Sequence, residues 1–255
     1  MEWQANLANQ VILVTGASSG IGRHAAAGLG RAGAHVVVAA RRREELDRLV
    51  KEIEVAGGRA LAATMDVTSE ASVRAAVAAA EEGAGPLTGL VNCSGIVESV
   101  RLLKQGEESW DRIIATNLRG TWLVLSEVAR RMSEAGHGGA IVNIASILGL
   151  RQAGQVTAYA TSKAAVIQLT KQAALELAPF GIRVNALAPG YIETDLNRDF
   201  FASEAGKALI GRIPQRRLGR LEDLDGPLQL LLSDASRYMT GSVIVVDGGH
   251  LVSSL

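Results

Sequence analysis

The sequence predicts an α/β protein of the doubly wound type, a seven-stranded parallel sheet with helices on both faces. Three observations carry this. Short apolar runs alternate with longer Ala-rich stretches along the whole chain. The runs are continuously apolar rather than alternating, as strands buried on both faces must be. No linker, charge block or low-complexity stretch divides the 255 residues, so a single domain over 1–255 is expected.

The elements follow in order. Val11–Thr15 reads as the first strand and Ile21–Ala32 as a helix; His35–Ala39 is the second strand. Glu44–Ala56 carries Leu46, Leu49, Val50 and Ile53 at helical spacing. Arg59–Thr64 is a strand, Glu70–Glu82 a helix with Val73 and Val77 on one face, and Leu87–Asn92 a strand. Trp110–Met132 reads as one long helix, followed by strand Ala140–Ala145, helix Ala158–Leu177 and strand Ile182–Ala188. A late helix over Glu222–Leu232 and a last strand over Ser242–Val246 complete the set. The stretch Tyr191–Arg217 breaks the rhythm, with Leu196, Phe200, Phe201, Leu209 and Ile213 mixed among charges. An insertion leaving the carboxyl end of a strand can close over a ligand, so this segment reads as a substrate lid, with packing filler as the plainer alternative.

Composition narrows the function. Lys plus Arg and Asp plus Glu both number 26, which argues against a nucleic-acid or membrane-surface partner. The apolar share of 48% excludes a disordered chain. Cys93 is the single cysteine, and no Cys/His set has metal-ligand spacing, so no metal is expected. The first residues lack a basic stretch followed by an apolar core, which makes the cytoplasm the expected location.

The first strand runs into Thr15-Gly16-Ala17-Ser18-Ser19-Gly20-Ile21-Gly22. Gly16 can take a turn closed to other residues, Gly20 lets backbone approach a phosphate, and Gly22 lets the helix pack close to the sheet. Free N–H groups at the helix start suit a pyrophosphate, so the loop, with Ser18, Ser19 and Ile21, is expected to hold a dinucleotide in a Rossmann-type arrangement. A ribose-binding acid for NAD is expected about 20 residues further on. Ala39-Ala40-Arg41-Arg42-Arg43 stands there instead. A 2′-phosphate suits Arg, and small Ala40 leaves it room, so NADP is favoured over NAD. Arg41 is the first expected contact and Arg42 the second; Arg43 is expected to face solvent near Glu44.

Tyr159 and Lys163 are four residues apart and share a helix face. A free phenol has a pKa of about 10, and a neighbouring ammonium is expected to pull it down. Ser146 follows the apolar strand and can hold a substrate oxygen while Tyr159 gives or takes the proton. Direct hydride transfer between a nicotinamide and carbonyl carbon needs no metal. Ile147, Leu148 and Leu150 suggest an apolar wall, with Gln152 and Gln155 offering hydrogen bonds.

These motifs, in this order from Val11 to Gly249, resemble the classical short-chain dehydrogenase/reductase family. The resemblance implies that Asp66, followed by Val67, meets the adenine ring. It implies that Asn117 bends its helix and holds a water with its opened backbone, and that Ser146, Tyr159 and Lys163 carry the catalysis. Lys163 would also bind the nicotinamide ribose. Asn92 and Gly95 would line the cofactor cleft. The Pro189-Gly190 turn matches the family's, and Thr194 with backbone near Ile192 would hold the carboxamide. Cys93 and Ser94 depart from the family pattern without adding bulk. The pattern is similar to 3-oxoacyl carrier-protein reductases and to glucose and gluconate dehydrogenases. It implies NADP-dependent hydride transfer to a ketone, first of 3-oxoacyl type, with a sugar or polyol dehydrogenase as alternative. The family is usually a homotetramer. Arg130 and Arg131 read first as solvated charge, with an acidic carrier protein as the alternative partner.

Overall fold

A computed structural model describes residues 6–194 and 198–253. Seven strands, β1 (Val11–Thr15), β2 (His35–Ala40), β3 (Arg59–Thr64), β4 (Gly89–Asn92), β5 (Gly139–Ile144), β6 (Ile182–Pro189) and β7 (Val243–Val246), form one sheet in the order β3-β2-β1-β4-β5-β6-β7. Every pairing is parallel. The order reverses between β1 and β4, which opens a crevice at their carboxyl ends, where ligands of such sheets bind.

Parallel strands need crossovers, and helices supply them. Helices α1 (Gly20–Arg31), α2 (Arg43–Val55) and α9 (Asp225–Leu232) bury Ala26, Leu46 and Leu228 with Ile12, Val14 and Val36 on one face. Helices α3 (Glu70–Ala84), α5 (Gly120–Ala135) and α6 (Thr157–Leu177) bury Val77, Val124 and Ala173 with Leu13 and Val37 on the other. Neighbouring strand residues thus serve opposite layers, which explains the unbroken apolar runs. Local signals set the ends: the Ser69 hydroxyl accepts from Ser72 N at the start of α3, and Gly136, at φ 71°, closes α5.

The expected helix Trp110–Met132 is not continuous. It divides into α4 (Glu107–Ile114), a π turn over Ala115–Arg119 and α5. The insertion folds partly into α7 (Arg198–Ala202) and α8 (Glu204–Ile210). Phe201 and Ile213 are buried and Phe200 is half-exposed; Leu196 lies outside the described residues. His24, expected on the first helix surface, bonds through Nε2 to Asp225 Oδ1 at 2.9 Å and ties α1 to α9. Among the described residues no helix is long and apolar enough to cross a membrane, and no group of three His, Cys, Asp or Glu side chains could hold a metal ion.

Candidate active site

The crevice is built first by backbone. Gly16 has φ +68° and Gly20 φ +55°, conformations L side chains rarely adopt. A Cβ on Gly16 would also lie 2.9 Å from the Cys93 carbonyl oxygen, so the loop after β1 and the loop after β4 touch here. Thr15 fastens the same junction: its Oγ1 accepts from Cys93 N at 3.0 Å and Ser94 N at 3.2 Å. Helix α1 begins directly behind the loop, with no side-chain cap and no acid in its first turn. Its free N–H groups and positive end therefore suit an anion.

Basic side chains complete this end. Arg42 donates from Nη2 to Ser18 Oγ at 2.8 Å and to Ser19 Oγ at 3.1 Å. Arg41 is exposed at the end of β2, where its charge helps hold the Asp66 carboxyl low, after the larger effect of the Thr68 N–H and hydroxyl on Oδ1. Arg42 thus engages the loop itself, while Arg41 stands at the end of β2. Arg43 faces solvent next to Glu44, as expected, and pairs there with Asp47 at 2.8 Å. Val67 is buried against the start of α5, where a Cβ on Gly120 would meet it at 2.8 Å. The loop geometry, the uncapped helix and the two guanidinium groups fit a phosphorylated dinucleotide.

At the other end, four residues from three chain segments converge. Ser146 follows β5 and starts a 3-10 turn, its Oγ accepting from Leu148 N at 3.1 Å. Tyr159 and Lys163 face the same space from α6. Lys163 is buried, donates from Nζ to Ile144 O at 2.8 Å, and lies 5.8 Å from the Tyr159 ring centroid. Asn117, wholly buried in the π turn, clasps the β4 loop by accepting from Ile96 N at 2.8 Å and donating to Ile96 O at 2.9 Å. It also donates to Ser162 Oγ at 3.1 Å, and Ser162 donates to Tyr159 O. A Cβ on Gly95 would stand 3.5 Å from Lys163 Nζ, so Gly95 crosses directly over this group. The Asn117 carbonyl accepts from Thr121 Oγ1 at 2.8 Å.

The electrostatics differ from expectation. Burial pushes the Tyr159 phenol above its ordinary range, and the Ser146 hydroxyl only opposes this. Burial also brings the Lys163 ammonium down to about 8. Removal from water dominates both groups. Tyr159 therefore keeps its proton near neutral pH, a state suited to donating it to a carbonyl oxygen. Burial likewise pushes the Cys93 thiol up to about 12, so it is no nucleophile.

Other expected residues divide. Asn92 is buried, and its amide donates to Asn143 Oδ1 at 3.0 Å and Thr121 O at 3.4 Å, bracing β4 against β5 and α5. Pro189 ends β6, Gly190 N bonds to Val246 O, and Ile192 pairs with Gly219. Thr194 is half-buried at the edge of the described segment. Of the three residues expected as an apolar wall, Ile147 turns into the core, 1% exposed, Leu148 is half-buried, and Leu150 stands in solvent at 41%. Arg130 and Arg131 are engaged by Glu81, Glu127 and Glu134. Thr15, Ser162 and the Asn143–Thr170 bond (2.9 Å) were not singled out as supports. A polar residue inside an otherwise apolar strand, as in Ile141-Val142-Asn143-Ile144, is the available signal.

Comparison with known proteins agrees with this geometry. A family model described as enoyl-(acyl carrier protein) reductase matches residues 16–250. L-rhamnose 1-dehydrogenase (NAD(P)(+)) of Azotobacter vinelandii is 39% identical over 97% of this chain and 98% of its own length. The 3-oxoacyl-[acyl-carrier-protein] reductase FabG of Thermotoga maritima is 38% identical, covering 96% and 99%. A solved structure with bound NADP, of an Agrobacterium tumefaciens protein assigned as a 2-deoxy-D-gluconate 3-dehydrogenase, superimposes with a TM-score of 0.90 at 36% identity, covering 97% and 98%. The chain belongs to the short-chain dehydrogenase/reductase family. It is an NAD(P)-dependent oxidoreductase acting on a ketone or alcohol.

Proposed function

We propose that this chain is an NADP-preferring dehydrogenase of a sugar, polyol or sugar acid, interconverting a secondary alcohol and a ketone. The observation that carries the substrate reading is the polarity of the segment between Ser146 and Tyr159: Ile147 lies in the core and Leu150 in solvent, whereas Gln152 and Gln155 are exposed, which suits a hydroxylated substrate better than an acyl chain. The cofactor preference rests on Arg41 and Arg42 beside Ala40, with no carboxylate to repel a 2′-phosphate. The sugar dehydrogenases among the relatives point the same way.

The residues divide the work. The glycine loop, Ser18, Ser19, Arg42 and the start of α1 hold the phosphates. Ser146 holds the reacting oxygen, and Tyr159 Oη exchanges its proton with that oxygen. Lys163 binds the ribose hydroxyls and passes protons toward the Asn117 turn. When bound, the nicotinamide supplies or accepts the hydride. A screen of aldoses, aldonates, alditols and 3-oxoacyl thioesters with both NADP(H) and NAD(H) tests this reading. Turnover confined to thioesters would overturn the substrate class. A homotetramer is the matching assembly: β7, although wholly apolar in sequence, is only half-buried at the sheet edge, and Trp122 of α5 and Leu175 of α6 are exposed.

A further inference from the structure

One wall beside the acid/base group carries positive charge and an orphaned polar atom. His250 opens the last 3-10 turn, His250–Val252, and is 6% exposed. Its ring lies against Tyr191, centroids 5.5 Å apart at 38°, and Tyr191 meets Phe201 edge-on at 5.8 Å. Tyr191 follows the Pro189-Gly190 turn at the carboxyl end of β6, which pairs with β5, the strand that Ser146 follows. Within this wall His250 Nδ1 is buried with no hydrogen-bond partner, an arrangement that is unfavourable unless a ligand supplies one. Arg151 leaves the turn begun by Ser146 and donates from Nη1 to the His250 carbonyl oxygen. Its guanidinium makes no ion pair with a carboxylate among the described residues. Arg212 adds a second positive charge near the ring, and burial together with Arg151 keeps the imidazole neutral. The acid facing it, Asp247, is committed to Gly249 N and Leu251 N.

We propose that Arg151 and His250, set against Tyr191, form the distal wall of the substrate site and select a substrate with a carboxylate remote from its reacting carbon. Arg151 takes the carboxylate and His250 Nδ1 a neighbouring hydroxyl. This deepens the sugar-type dehydrogenase reading and rests on it. A carboxylate can engage the planar guanidinium with charge-assisted hydrogen bonds, whereas a neutral sugar or thioester leaves the charge unmatched.

The test uses gluconate, mannonate and galactonate, each against the alditol that differs from it only by a hydroxymethyl group in place of the carboxylate. Oxidation with NADP+ is measured for the wild type, Arg151→Gln and His250→Phe, and aldonate binding by calorimetry on the NADP-loaded protein. Gln can still donate to the His250 carbonyl, and Phe preserves the ring contact with Tyr191; thermal melts verify that both variants fold. We expect the wild type to prefer an aldonate. In Arg151→Gln the aldonate-to-alditol ratio of kcat/KM falls at least tenfold, through KM, with a matching loss of calorimetric affinity. His250→Phe lowers the ratio less. An unchanged ratio and affinity in Arg151→Gln overturns the proposal. So does a wild type that oxidises alditols or aldoses but neither oxidises nor binds aldonates, which leaves the sugar dehydrogenase reading standing. Activity on 3-oxoacyl thioesters alone, without aldonate binding, overturns both.

Discussion

Thr15 holds the cofactor crevice together, and replacing it with Val keeps its shape while deleting one oxygen. Thr15 is 1% exposed, and its hydroxyl receives two backbone N–H groups, from Cys93 at 3.0 Å and Ser94 at 3.2 Å. Each N–H left without a partner costs about 1–3 kcal/mol if it stays dry. Cys93 and Ser94 are half-buried, so water can reach part of the gap, and a net loss of about 2 kcal/mol is expected after this relief. The loss falls where the loops after β1 and β4 touch. NADPH affinity should therefore weaken by up to about 30-fold, the equivalent of 2 kcal/mol. Fluorescence titration of NADPH and urea unfolding measure the two effects, and Thr15→Ser, which restores the oxygen, should recover most of both. If the Val variant binds and unfolds like the wild type, or the Ser variant is equally damaged, the hydroxyl is not the fastener described.

Further outcomes follow from the same geometry. Tyr159→Phe removes only the transferable hydroxyl; turnover should fall by at least about 100-fold while NADPH binding, read by titration, stays near that of the wild type. Ala40→Asp places a carboxylate beside Arg41 and Arg42 and should raise the NADPH KM far more than the NADH KM; equal changes would remove the basis for NADP preference. The His24–Asp225 bond raises the His24 pKa above its usual 6.5. Its contribution to stability is therefore fully present below pH 6.5 and lost as pH rises through the folded-state value. Melting temperatures of the wild type and His24→Phe should converge with rising pH over that window, and a constant or widening gap would contradict the pairing.

The sheet could be read from sequence because burial on both faces leaves runs such as Val36-Val37-Val38 with no polar interruption. Tyr159, Lys163 and Ser146 were likewise legible, since their spacing places them on one helix and one strand end. The direction of the phenol's shift was not. It depends on whether burial or the lysine charge dominates, and only the packed structure shows burial prevailing. The short helices Arg198–Ala202 and Glu204–Ile210 span too few residues to display a period. Thr15, and Ser162 through its bond from Asn117, act through partners distant in sequence, which no local pattern reveals.

The π turn at Ala115–Arg119 constrains how this chain can vary in length. The Gly120 N–H reaches back five residues to the Ala115 carbonyl, which accommodates one surplus residue in an otherwise α-helical path. One residue corresponds to about 100° of rotation about the axis, so α4 and α5 are out of phase by that angle. Excising a single amino acid here would merge them into one regular cylinder and swing Ile113 away from the core position it now fills. Surface loops accept gains and losses of residues readily; at Asn117 the number of residues is as constrained as their identity.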